Sequence, residues 1–103
     1  MPYLYLQQQT RFKRVNESDI VLVEAGRSYS SVVTSSGSLY SRLSLTQIEP
    51  ILTTSYFCRV HTSYIVSLPH IVYFTNEIIN LGAHEVPIGR KYKEDFLKRI
   101  NLL

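Results

Sequence analysis

Apolar and polar positions alternate along this chain in short runs bounded by turn residues, the pattern of strands in an antiparallel sheet. Tyr3-Leu4-Tyr5-Leu6 is apolar and is broken by Gln7-Gln8-Gln9-Thr10. Arg11 to Val15 reads as a second short strand with Phe12 inward and Lys13 outward. Asn16-Glu17-Ser18-Asp19 is a turn cluster whose side chains can bond the local backbone. Ile20-Val21-Leu22-Val23 is continuously apolar and predicts a strand covered on both faces. A loop over Glu24 to Ser28 interrupts it, and a strand resumes from Tyr29 to Thr34. Ser35-Ser36-Gly37-Ser38 predicts a hairpin turn, after which Leu39 to Leu43 returns.

Two helices interrupt the β pattern. Ser44 followed three residues later by Gln47 fits a capping box, and Leu45, Ile48 and Leu52 recur on one helical face. Pro50 limits that helix, because past the first turn it removes a backbone donor. Phe57 through Val60 alternates again, polar His61-Thr62-Ser63 follows, and Tyr64-Ile65-Val66 is apolar. Ile71 to Phe74 and Ile78 to Leu81 flank Thr75-Asn76-Glu77 as a further hairpin, and Pro87 argues that Glu85 to Ile88 is an edge strand. From Arg90 onward, Tyr92, Phe96, Leu97, Ile100 and Leu103 form the apolar stripe of a C-terminal amphipathic helix.

Composition agrees with the pattern. Val and Ile together number eighteen and Tyr eight, while Ala occurs only at Ala25 and Ala83, which disfavours a helix bundle. The fold class expected is mostly β, with a short middle helix and a C-terminal amphipathic helix. The 103 residues suffice for one core, and 18% charged residues is an ordinary globular share. Cys58 is the only cysteine, which excludes an intrachain disulfide and a cysteine-rich zinc site. No apolar run approaches the roughly 20 residues of a membrane span, so no membrane contact is expected of this segment.

Catalytic and metal chemistry find little support. His61, His70 and His84 are nine or more residues apart, with no carboxylates at ligand spacing, so neither a metal nor a cofactor is expected. His61 and Ser63 could share a strand face as base and nucleophile, but no glycine-flanked elbow or acidic orienter accompanies them. The reading is therefore that the chain is not an enzyme.

Charge placement says more than the net charge of +3. Gly89-Arg90-Lys91-Tyr92-Lys93 crowds three cations onto the start of the last helix, whose end already carries partial positive charge. An anion seated there would account for them. A solvated face balanced by Glu94 and Asp95 is the alternative. Arg27, Ser28 and Ser30 form a second polar loop with donors, and Arg59, His61 and Thr62 a third.

Arg59-Val60-His61-Thr62-Ser63-Tyr64-Ile65-Val66-Ser67 closely resembles the hallmark R-V-H-x-S-[YF]-[ILV]-V-N of LytTR-type DNA-binding domains. Asp19 to Ala25 resembles the family's DI-apolar-apolar-apolar-EA strand, with Tyr29 at the tyrosine position of the following loop. Arg42-Leu43-Ser44-Leu45 resembles the R-x-S-L entry to the small helix, and Val86 to Tyr92 the stretch before the final helix. The resemblance covers about residues 12–102. It divides the chain into an N-terminal strand or linker remnant, 1–10, and a LytTR-type domain, 11–103.

That resemblance implies the output domain of a bacterial-type, cytoplasmic transcriptional regulator, whose loops enter successive major grooves of double-stranded DNA. Carried over by motif, Arg90, Thr62 and Ser30 would reach bases, while Arg27, Ser28, Lys91, Lys93 and His61 would contact phosphate or set position. Family members are usually fused to a receiver, so a receiver or other regulatory domain, direct-repeat sites and a weak or DNA-induced dimer are implied. No receiver acid pocket occurs in these residues. The sequence departs from the family where Thr62 replaces a longer side chain, Ser67 stands for Asn and Gly89 for Ser. Those departures keep a rival open: a β-rich protein-interaction module that has lost specific DNA binding.

Overall fold

A computed structural model describes residues 2–102, and the alternating segments form strands as the pattern predicts. In chain order these are β1 (Tyr3–Gln8), β2 (Arg11–Asn16), β3 (Ile20–Ala25), β4 (Ser30–Thr34) and β5 (Gly37–Ser41). Then come helix α1 (Leu45–Ile48), β6 (Phe57–His61), β7 (Tyr64–Ser67), β8 (Tyr73–Phe74), β9 (Ile78–Asn80), β10 (Glu85–Pro87) and helix α2 (Arg90–Arg99). A five-stranded antiparallel sheet in the order β5-β4-β3-β7-β6 is the middle layer. The hairpin β1-β2 and α1 cover one face, and a three-stranded sheet, β10-β9-β8, covers the other with α2.

Apolar Ile20 to Val23 is buried throughout because β3 faces both covering layers. Ile20 and Val23 pack with Leu6, Val15, Leu45, Ile48 and Leu52, whereas Val21 and Leu22 pack with Ile79, Leu81, Val86 and Phe96. Strict alternation would not put Ile20 and Val23 on one side; a register shift between Ile20 and Leu22 does so. β10 lies at an edge with Pro87 ending it, where the missing N–H costs no ladder bond.

Both helices follow their sequence signals. The Ser44 hydroxyl accepts the Gln47 N–H at 3.2 Å, and the Gln47 carboxamide accepts the Ser44 N–H at 2.9 Å. The helix closes at Ile48, two residues before Pro50. In α2, Phe96 is fully buried edge-on against Phe74 at 5.1 Å, and Tyr92 and Leu97 are half-buried. The helix ends at Arg99, so Ile100, also half-buried, follows it in extended conformation and not on the helical stripe. Leu103, the last residue of the predicted stripe, lies outside the described residues.

The inward placement of Phe12 is corrected. Leu4 pairs with Val15 and Leu6 with Lys13, so those four share one parity, in which Leu4, Leu6 and Val15 meet the core while Lys13 is exposed as expected. Phe12 is one residue out of that parity, on the outer face with Tyr3 and Tyr5, and is 66% exposed. Cys58 is buried, and that burial raises its thiol above the ordinary value, with the nearby Arg99 partly opposing. A thiol raised in that way is protonated at neutral pH.

Phe96→Ala should cost about 3–5 kcal/mol in chemical denaturation, because it empties the centre of one core. Phe12→Ser should stay within about 0.5 kcal/mol of the parent. Equal losses from the two substitutions would contradict the assigned faces.

Candidate nucleic-acid interface

Antiparallel pairing sets the connections at one end of the middle sheet side by side. Ser30 opens β4 opposite Ser41, the last residue of β5, and opposite Ala25, the last of β3. The Ala25 N–H donates to the Ser63 carbonyl at 2.9 Å, which joins the β3-β4 loop to the β6-β7 turn. The Gly89 N–H donates to the Val60 carbonyl at 2.7 Å, which brings the start of α2 to the end of β6. The three donor-bearing loops of the sequence therefore meet.

The β3-β4 loop is held by a close backbone approach. Gly26 N–H donates to the Tyr29 carbonyl at 2.7 Å, and a Cβ on Gly26 would stand only 2.6 Å from that oxygen. Arg27, Ser28 and Tyr29 are exposed at its tip, and Tyr29 meets Tyr40 edge to face at 5.1 Å. Ser30 departs from its expected place: it is 2% exposed, and its hydroxyl donates to the Leu43 carbonyl at 2.8 Å. In this structure the hydroxyl faces the Leu43 carbonyl and not solvent, and it ties the start of β4 to the segment that follows β5.

Arg59 organises the β6-β7 turn. Its Nε donates to the His61 carbonyl at 2.9 Å and its Nη2 to the Thr62 carbonyl at 2.6 Å. Nη1 pairs with Glu49 at 3.3 Å, and the guanidinium lies 5.8 Å from the Tyr92 ring centroid on α2. One side chain thus ties the turn to both helices, and Thr62 is left with an exposed side chain. His61 is half-buried beside Tyr64, whose hydroxyl is raised by burial and then by the Glu24 carboxylate across the ladder. His61 Nδ1 accepts the Ser63 N–H at 3.0 Å, so the neutral ring carries its proton on Nε2, the atom left to donate. It is the Ser63 backbone, and not its hydroxyl, that engages the histidine.

At the start of α2, Arg90 and Lys91 are exposed and Lys93 half-buried. Gly89 provides no side-chain cap. A Cβ there would lie 3.0 Å from the Tyr92 ring and 3.4 Å from the His61 Cα, tighter than side chains normally pack. Glycine in place of serine lets the helix end abut β6. Glu94 bonds Lys98 at 3.3 Å, further along the helix, and the Cys58 thiol lies 4.0 Å from Asp95. Among the described residues no carboxylate pairs with Arg90, Lys91, Lys93 or Arg27.

Sequence reasoning named Arg59 only as a donor and missed that its donors turn inward. Its place two residues before the turn was visible in the sequence, but the register shift between Arg59 and His61, which breaks the alternation there, was not. The structural parts played by Gly26 and Gln8, the latter donating to the Tyr40 carbonyl at 2.7 Å, had no local signal.

Comparisons with known proteins agree with this geometry. The family model described as the LytTr DNA-binding domain matches residues 10–101. The chain is 36% identical over 94 residues to the CO-responsive transcriptional regulator RcoM of Rhodospirillum rubrum, a match covering 84% of this chain and 39% of that protein. It is 36% identical over 90 residues to the heme-containing CO-sensing transcriptional regulator RcoM 2 of Paraburkholderia xenovorans, covering 81% and 34%. The chain thus spans well under half the length of these relatives. A solved LytTr DNA-binding domain from Bacillus cereus superposes with a TM-score of 0.82 at 23% identity, covering 94% of each chain.

Gly26→Ala should displace the amide resonances of residues 27–30 and 62–64 while leaving those of β8 to β10 in place. Arg59→Ala should speed hydrogen exchange at the 61–63 turn and at the first turn of α2 together. Exchange raised at only one of the two would show that Arg59 does not couple them.

Proposed function

The chain belongs to the LytTr DNA-binding domain family, and from that premise we propose that it binds double-stranded DNA sequence-specifically, as the output domain of a transcriptional regulator. The observation that carries this reading is the convergence of three donor-bearing loops with unpaired cations at one end of the sheet. Arg90 pairs with guanine, whose O6 and N7 suit a bidentate guanidinium. Thr62 offers a methyl and a hydroxyl to a thymine methyl or a phosphate. Arg27, Ser28, Lys91, Lys93 and the Nε2 of His61 hold phosphates and set register. Ser30 supports its loop from beneath.

The loops enter the major groove on this reading. Strand spacing of about 4.8 Å puts roughly 19 Å between the ends of β5 and β6, so the row of loops runs along the duplex beyond a single groove width of about 12 Å. Two copies on direct repeats, joined weakly or only through DNA, would supply the affinity that one mildly basic domain lacks. A receiver or other regulatory domain in the same polypeptide would control the pairing, in the cytoplasm. No helix among the described residues is long and apolar enough to cross a membrane.

One observation favours a protein-interaction module instead: Tyr3, Tyr5 and Phe12 expose an aromatic face on the β1-β2 hairpin. The Ser67 departure does not add to that rival. Ser67 is buried opposite Phe57, at the other end of β7 from the loops, and bonds His70 at 2.9 Å.

Selection from a random duplex library should enrich a short motif. Arg90→Ala should relax preference at one base position, at a cost of about 1–3 kcal/mol. Lys91→Ala should weaken all sequences alike and make the log–log salt slope about 0.9 shallower. No enriched motif, with salt-insensitive binding to a protein, would support the interaction module.

A further inference from the structure

A second concentration of cations stands at the β5 end of the same row of loops. The tip of the β1-β2 hairpin and the end of β5 enclose an open cleft of about 1030 Å³, lined by Arg11, Arg42, Ser28, Tyr29, Tyr40 and three consecutive glutamines among others. No carboxylate lines it, and both guanidinium groups are exposed and without an acidic partner among the described residues. A groove lined by charge of one sign concentrates the field and draws counter-charges to it.

The cleft is built rather than incidental. β5 is the open edge of the five-stranded sheet. The Gln8 carboxamide donates to the Tyr40 carbonyl at 2.7 Å and accepts the Tyr40 N–H at 3.5 Å, so a side chain fills the place of a sixth strand. That pair fixes the hairpin tip, and Arg11 with it, against the strand that delivers Arg42. Arg42 directly follows Ser41, which is paired with Ser30. The β3-β4 loop therefore lies between this cleft and the Thr62 turn. Ser28 and Tyr29 belong both to that loop and to the cleft wall.

We infer that Arg11 and Arg42 form a clamp for the DNA backbone, taking phosphodiester oxygens on the flank of the bound site opposite the one held by Lys91 and Lys93. The inference rests on the DNA-binding reading above and extends it with two residues that set position without reading sequence. Guanidinium groups suit phosphate because their planar donors bond it bidentately.

The test compares the parent with Arg11→Gln, Arg42→Gln and the double variant on a duplex carrying the selected motif and one extra helical turn on each side. Both residues are exposed, and matching thermal midpoints establish that the fold survives. Each single variant should make the salt slope about 0.9 shallower, and the double variant about twice that. The selected motif should stay the same, and hydroxyl-radical protection should disappear on one flank only. Arg42→Lys should restore most of the slope. Trimming the duplex on that flank should make parent and double variant bind equally.

An unchanged slope and footprint in the double variant, while Arg90→Ala still relaxes base preference, would overturn the clamp and leave the DNA-binding reading standing. A changed motif would overturn it too, since the arginines would then be reading bases. If the parent selects no motif and Arg90→Ala has no effect, the DNA-binding reading itself fails and the clamp with it.

Discussion

The ladder that β3 makes with β4 on one side and β7 on the other is the constraint on which the rest of this molecule depends. Antiparallel pairing returns every second connection to the same sheet end. The 26–29 loop, the Thr62-Ser63 turn and the end of β5 are neighbours for that reason. β3 can hold this central place because its apolar run is covered on both faces, by the hairpin and α1 on one and by α2 and the small sheet on the other. Phe96 then fixes α2 in the second core, and the cationic start of that helix is delivered to the same end of the sheet.

Rigid positioning and free charge are divided among different arginines. Arg59 spends its donors on two carbonyls and a carboxylate, so it holds the site together and has little left to offer a ligand. Arg11, Arg27, Arg42 and Arg90 have no carboxylate partner among the described residues and stand exposed along the row. Cations left unpaired beside a positive helix end are unfavourable in the free protein. A polyanion across the row would turn that repulsion into attraction, with release of condensed counterions. The tight backbone contacts at Gly26 and Gly89 serve the same end, because they keep the loops from relaxing away from one another.

Much of the fold was legible in local pattern. Ser44 and Gln47 announced α1, Pro87 announced an edge, and the stripe through Phe96 announced α2, since each reports a short-range requirement of backbone geometry or burial. The family motifs around Arg59-Val60-His61 located the loops that converge. Phe12 was misplaced because its face depends on the register with β1, where a shift of one residue inverts every side chain. Ser30 read as a loop donor because nothing nearby in sequence reveals that the Leu43 carbonyl, thirteen residues on, accepts its hydrogen bond. The cleft at Arg11 and Arg42 was hidden for the same reason. It exists only once Gln8 meets Tyr40, thirty-two residues away.

The central claim is that one end of the middle sheet is the surface that meets DNA. Mapping amide chemical-shift changes while a duplex is titrated into the protein tests it most directly. The largest changes are expected at residues 27–29, 61–63 and 89–93, with smaller ones at the hairpin tip and Arg42. None is expected at the exposed edge of β10 or on the outer face carrying Tyr3, Tyr5 and Phe12. Changes centred on that aromatic face, with the three loops silent, would contradict it.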